Sequence, residues 1–356
     1  MTVTKDIGFI PEDTTITLGD PIFMDVRQDP FRIYGVDKKG FFRLPPEVGK
    51  RVSPSVEIAG QTSNGGRIRF KTDSDYVVVH AKMQKPIPSF HQALSNAYGI
   101  DILIRTDGDW FTPGVCIPSQ GEGKDYYEYR TKFDKTLGTK EVMLSLPLES
   151  KVESVAVALR EGSRLEFAKE YKYTTPIFFY GSSITFGACA SKPSNIYPAM
   201  VSRMIDTDFV NLGFGAACKA EDAMIDYIAE QKMSVFVYDY DHNAPDPDFL
   251  KKTHYRGYCR FRKKQPDTPI ILASKPDHYY DIFTFDINVN NVRRKIIEET
   301  YEKALKAGDK NISFIDGRTF CPKKAYGYCF VDGCHPNDLG YYYMAKTFAK
   351  EIKKYL

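Results

Sequence analysis

The sequence predicts two domains of different class. Residues 1–170 read as an antiparallel β-sandwich, and residues 171–356 as a three-layer α/β/α domain around a parallel sheet. Three observations carry this. A chain of 356 residues exceeds one average domain, so two are the default expectation. The first half is a series of short strands separated by turns. The second half alternates strand and helix, the rhythm of a parallel sheet covered on both faces.

In the first half, RIRFKTDSDYVVVHAKM (67–83) alternates apolar and polar residues, turns at Asp-Ser-Asp, and continues as a β-branched run. DILIR (101–105), YYEYRTKF (126–133), EVMLSLPL (141–148) and VESVAVALR (152–160) follow, with SNGG (63–66) and TDGD (106–109) as turns. The period changes near EYKYTTP, about residue 170. Strands are then expected at TPIFFY, DFVNLGF, MSVFVYDY, TPIILASKP and NISFIDG. Helices are expected at IYPAMVSRMI, EDAMIDYIAEQ, HYRGYCRFRKKQP, NVNNVRRKIIEETYEKALKAG and the C-terminal DLGYYYMAKTFAKEIKKYL.

A net charge of +3 is too small for a nucleic-acid footprint, so no nucleic-acid partner is expected. No stretch holds eighteen consecutive apolar residues, and the N-terminal MTVTKDIGFIPEDTT has no apolar core, so no membrane partner is expected either. Seven cysteines at irregular spacing, with no C-x-x-C, suggest free thiols in a reduced, cytoplasmic protein. Cys329, Cys334 and His335 are close in sequence, but a zinc site would need further ligands. No metal and no cofactor are therefore expected.

In open α/β sheets, function gathers at the carboxyl ends of the strands. Those ends carry Gly181-Ser182-Ser183, Asn211 to Ala217 (NLGFGAA), Asp239-Tyr240-Asp241-His242-Asn243, Ser274-Lys275-Pro276-Asp277, and Asp316-Gly317. After the last comes Asp332-Gly333-Cys334-His335. A hydroxyl nucleophile needs a base, and the base needs an orienting carboxylate. An Asp three residues before a His can accept its Nδ1 proton, which leaves Nε2 free to face a serine. Backbone N–H groups at a Gly-rich strand end and the amide of Asn243 are suitable donors to an oxyanion.

With these blocks in this order, the second half resembles the SGNH hydrolases, also called GDSL esterases. The resemblance implies a flavodoxin-like domain with Ser183 as nucleophile, in preference to Ser182, and with Asp332 and His335 completing a triad. It implies an oxyanion hole from the N–H of Ser183, the N–H of Ala216 and the side chain of Asn243. The family carries Gly where this chain has Ala216, with Gly215 as the fallback donor. In the first half, FFRLPPE (41–47), GGRIRFKTDS (65–74) and Gly99-Ile100-Asp101-Ile102-Leu103 resemble the N-terminal, jelly-roll-like GxDLY domain of one SGNH subgroup. The resemblance implies a carboxylic ester hydrolase, with relatives that deacetylate plant carbohydrates. An imported acetylated oligosaccharide is the expected substrate and partner. A thioesterase or lipid acylhydrolase, and a non-catalytic carbohydrate-binding protein with a relic site, are the alternatives.

Other residues carry two readings each. His242 is a substrate contact or a plain loop residue. Trp110, in the turn DGDWF, is a sugar-stacking platform or ordinary packing. Asp101 shapes a cleft or holds a strand end. His254 is read as a helix-entry or surface residue, Asp239 and Asp241 as solvated strand-end charges, and RFRKKQ (260–265) as a solvated helix face. The aromatic-rich β-domain is compatible with a homodimer.

Overall fold

The computed structural model describes residues 1–17, 19–84, 92–118, 126–276 and 287–356. Asp277 lies outside them. The chain divides into two compact units, and the division is interleaved rather than a single cut at residue 170. One unit comprises Met1–Arg43, Thr62–Glu170 and Lys192–Ser194; the other comprises Leu44–Gln61, Tyr171–Ser191 and Asn195–Leu356. Two short helices, α1 (Pro46–Val52) and α2 (Pro54–Gly60), thus belong with the α/β unit. The reason is burial: Leu44, Val48 and Val56 join the apolar core of that unit.

The first unit is a β-sandwich. Its strands are β1 (Pro21–Asp25), β2 (Arg32–Tyr34), β3 (Arg67–Thr72), β4 (Tyr76–Met83) and β5 (Ile100–Arg105). They continue as β6 (Phe111–Cys116), β7 (Tyr127–Lys132), β8 (Lys140–Ser145), β9 (Val152–Arg160) and β10 (Leu165–Glu166), with a short helix α3 (Leu94–Ala97) before β5. One antiparallel sheet runs β1-β9-β4-β7; the other runs β10-β3-β8-β5-β6, with β2 beside β3. Alternation sorts the side chains. Val77, Val79 and Ala81 of β4 share a core with Ile68 and Phe70 of β3 and with Val142 and Leu144 of β8. Tyr76 and Val78 point the other way and pack with Phe23.

The second unit holds a five-stranded parallel sheet: β11 (Tyr173–Gly181), β12 (Thr207–Gly213), β13 (Val235–Asp239), β14 (Ile270–Ala273) and β15 (Ile312–Ile315). Its order is β12-β11-β13-β14-β15, the flavodoxin-like 2-1-3-4-5 pattern. Between the strands run α4 (Ser183–Phe186), α5 (Tyr197–Ile205), α6 (Asp222–Ala229), α7 (Pro247–Lys264) and α8 (Ile287–Lys306); α9 (Tyr326–Cys329) and α10 (Asp338–Ile352) follow the last. On one face, Ile225 of α6, Phe261 of α7 and Ile297 of α8 pack with Phe178, Phe236 and Tyr238 of the sheet. On the other, Phe179 meets Tyr197 of α5 and Phe348 of α10 edge-on, and Tyr197 stacks on Phe348 at 4.8 Å. Among the described residues, no helix is long and apolar enough to cross a membrane.

Two glycines are demanded by close approach. A Cβ on Gly181 would collide with Oγ1 of Thr185 and stand 2.5 Å from the carbonyl oxygen of Asp239. A Cβ on Gly213 would collide with the backbone N of Phe186 and stand 2.6 Å from its Cα. These contacts hold α4 against the ends of β12 and β13. Gly181→Ala is expected to cost at least about 3 kcal/mol, because backbone rather than a flexible side chain must give way. Gly327→Ala in α9, where a Cβ would meet nothing within 4 Å, should stay within about 0.5 kcal/mol of the wild type. Urea unfolding of the two variants checks this; equal stabilities would contradict it.

Candidate active site

The 2-1-3-4-5 order puts β11 between the two strands at which the winding reverses, the place where such sheets bind ligands. β11 ends at Gly181 and the chain turns directly into α4. Ser182 caps that helix, its hydroxyl accepting from the N–H of Ile184 at 3.1 Å, and Ser183 is the first helical residue. So of the two serines, Ser182 is spent on a cap.

Ser183 Oγ lies 2.8 Å from Nε2 of His335, and Nδ1 of His335 lies 2.7 Å from Oδ2 of Asp332. A carboxylate only accepts, so Nδ1 carries the proton and Nε2 is the bare lone pair facing the serine. The loop is tightly made. Val331 N–H donates to His335 O at 2.9 Å, Phe330 bridges Pro336, and Gly333 has φ +76. Asp332 Oδ1 also accepts from the backbone N–H of His335 (2.7 Å) and of Cys334 (3.0 Å). Burial pushes the Asp332 carboxyl up, but these N–H groups and the His335 ring outweigh it and bring it down to about 2.

The expected oxyanion donors stand at three strand ends. Neither the N–H of Ser183, the N–H of Ala216 nor the side-chain amide of Asn243 makes a hydrogen bond among the described residues. Ala216 has φ +56, the left-handed region that favours glycine. This explains how Ala replaces Gly here: the backbone keeps the glycine-like turn and bears the strain, about 1 kcal/mol. Gly215 lies beside the serine, since a Cβ built on it would be 3.8 Å from Ser183 Cβ.

A buried polar clamp fixes this corner, and it has no local sequence signature. Asp239, at the end of β13, accepts from Thr185 Oγ1 and from Tyr197 OH, each at 2.9 Å. Asn211 of β12 accepts from Gly213 N–H at 2.8 Å and donates to the carbonyl of Thr185 at 2.9 Å. Asp239 and Asp241, read as solvated, are both buried. Burial and the Asp241 charge raise Asp239 to about 6, against the hydrogen bonds that lower it. Burial also pushes Asp241 up, but its His242 partner and the N–H of Lys275 (2.6 Å) outweigh that and hold it below the ordinary value.

His242 Nδ1 is 2.5 Å from Asp241 Oδ1, and its Nε2 is buried with no hydrogen bond among the described residues. Two other expectations, for His254 and for the run at 260–265, are corrected. His254 is wholly buried in the middle of α7, stacked on Tyr238 at 4.7 Å and bonded to Thr300 Oγ1 at 2.8 Å. The helix begins at Pro247, capped by Asp246, well before the expected start, and burial drives the His254 ring down to about 3. In the first unit, Asp101 is wholly buried and paired with Lys192 at 3.6 Å. Trp110 lies under the guanidinium of Arg105, 4.6 Å from the ring centroid. The run at 260–265 is also engaged rather than merely solvated: Phe261 is buried, and Arg260 and Arg262 pair with Asp226 and Asp309.

Among the described residues, one group has metal-ligand chemistry and spacing: Cys189, Asp332 and His335, with one ligand atom from each within 4.8 Å of the others. It is not the sequence-adjacent set of Cys329, Cys334 and His335.

Residues 174–353 match the GDSL-like lipase/acylhydrolase family, half of the chain. The chain belongs to this family. Residues 22–165 match the GxDLY family, the N-terminus of SGNH-hydrolase-type esterases. A protein described as a GDSL-like lipase, from Bacteroides ovatus, is 27% identical with a TM-score of 0.83, over 94% of this chain and 97% of its own. The salicylyl-acyltransferase SsfX3 of a tetracycline biosynthetic pathway is 19% identical, TM-score 0.75, over 94% and 97%. An acetyl xylan esterase, Est2A, from the rumen bacterium Butyrivibrio proteoclasticus is 13% identical, TM-score 0.57, over 94% and 98%. The last two likenesses are likenesses of fold. No curated protein matches the chain.

The raised value of Asp239 has a consequence for this GDSL-family corner. The folded protein holds that proton more tightly than the unfolded chain, so the associated stability is full below pH 4 and is lost as pH rises through about 6. Between pH 4 and 7, the wild type should lose about 3 kcal/mol relative to Asp239→Asn. Urea unfolding of both proteins across that range measures it; parallel profiles would refute the assignment.

Proposed function

We propose that the protein is a serine carboxylic-ester hydrolase that removes O-acetyl groups from carbohydrates. The observation that carries the hydrolase chemistry is the relay from Ser183 through His335 to Asp332, at 2.8 and 2.7 Å. His335 takes the Ser183 proton at Nε2 as Oγ attacks the acyl carbon. The oxyanion is received by the N–H of Ser183, the N–H of Ala216 and the amide of Asn243. His335 then passes its proton to the departing sugar oxygen. Water enters and gives a proton to Nε2 as its oxygen attacks the acyl carbon; Nε2 then returns that proton to Ser183 Oγ as the acyl–oxygen bond breaks and the acetyl group leaves as acetic acid. Asp332, held ionised, keeps the His335 tautomer and stabilises the imidazolium.

The acetylated-carbohydrate part rests on less: an acetyl xylan esterase shares this fold. The test is acetate release from a chemically acetylated oligosaccharide mixture, beside acyl-CoA and p-nitrophenyl esters of rising chain length. The expected outcome is acetate from the oligosaccharides with wild type and none with Ser183→Ala. Asn243→Ala should lower kcat about a hundredfold or more, the worth of one oxyanion donor. Cleavage of p-nitrophenyl acetate alone would keep the mechanism and refute the carbohydrate assignment.

A further inference from the structure

The chain folds a thiol against the His–Asp pair, and the hydrolytic mechanism has no use for it. Cys189 follows α4 by a tight turn. Gly187 has φ +103, and the N–H groups of Gly187 and Ala188 both return to the carbonyl of Ser183 at 2.9 Å. Tyr341 OH of α10 holds the carbonyl of Ala188 at 2.7 Å. Cys189 itself has φ +67, a conformation that costs a non-glycine residue about 1 kcal/mol. The result is a buried thiol whose sulfur lies within 4.8 Å of a nitrogen of His335 and an oxygen of Asp332.

We propose that Cys189, Asp332 and His335 form an inhibitory site for a thiophilic divalent cation of the zinc class. Sulfur, imidazole nitrogen and carboxylate oxygen are the ligand types such an ion selects, and three protein ligands leave a position for water. The side chains of His335 and Asp332 are 18% and 34% exposed, which gives the ion a path in. Small movements close the set to bonding distance, because Asp332 and His335 already share one closed loop.

Binding releases the Cys189 thiol proton to solvent, and the metal–sulfur bond forms in its place. The neutral His335 ring keeps one proton. If the metal takes Nδ1, that proton moves to Nε2, which then donates to Ser183 instead of accepting from it. If the metal takes Nε2, the lone pair itself is gone. Either way the base is lost. The inhibition rests on the catalytic reading above; the binding does not.

The test is cadmium titration followed by thiolate-to-metal charge-transfer absorption in the ultraviolet, with zinc inhibition of ester hydrolysis measured alongside. Wild type and Cys334→Ala should develop the band at about one equivalent. Cys189→Ala and His335→Ala should lose or weaken it. The zinc concentration for half-inhibition, relative to each variant's own metal-free rate, should rise at least about tenfold in Cys189→Ala. No band in wild type, or a Cys189→Ala variant with unchanged band and zinc sensitivity, overturns the proposal. If Cys189→Ala does not fold, Cys189→Ser answers the same question. If wild type hydrolyses no ester, the esterase reading fails while the cadmium titration still decides the site.

Discussion

The absence of a side chain at residue 181 is the constraint on which the α/β unit depends. The space a Cβ would need is filled by Thr185 from the following helix and by the backbone of Asp239 from the neighbouring strand. Because the chain comes so close there, it can reverse from strand to helix within two residues. That reversal leaves Ser183 at the mouth of the sheet, between the loops of β12 and β13. Gly213 repeats the device from the other side, where Phe186 of α4 rests against the end of β12. Hydrogen bonds then lock what sterics permit: Thr185 and Tyr197 onto Asp239, and Asn211 onto the backbone of Thr185.

The clamp also sorts two acids only two positions apart. Asp239 receives neutral hydroxyls and holds its proton to about 6, whereas Asp241 receives an imidazole and backbone N–H groups and falls below its ordinary range. Asp239 ends β13 and Asp241 lies just beyond it, and the two carboxylates meet different partners. Burial alone would have raised both. The difference lies in whether each carboxylate meets an imidazole and N–H donors, or only hydroxyls.

What could be read beforehand follows the range of the interaction. The strand–helix alternation is local and period-bound, so the parallel sheet and the sandwich were legible. Asp332 and His335 are three residues apart on one loop, and their bond is written in that spacing. Ser183 needed the family resemblance to be chosen over Ser182, although the capping habit of serine before a short helix is itself a signal. The start of α7 was misjudged in spite of Asp246-Pro247, a regular cap and first-turn pair, and the misjudgement put His254 at the surface. Other facts are long-range and left no local mark: the docking of residues 44–61 with the α/β unit, the burial of Asp101 on Lys192, and the return of Cys189 to the His–Asp loop.

Ser183 and His335, the proposed nucleophile and base, are far apart in the chain, 152 residues, with four strands formed between them. During synthesis on a ribosome the serine emerges about halfway and the histidine close to the end. Until β15 has been laid against β14 and the loop beyond it has closed, Ser183 is an ordinary alcohol with no base to ionise it. The order of the strands therefore works as a timer. On the proposed mechanism, reactivity arrives only with the last strand of the sheet, and an unfinished chain holds no active serine.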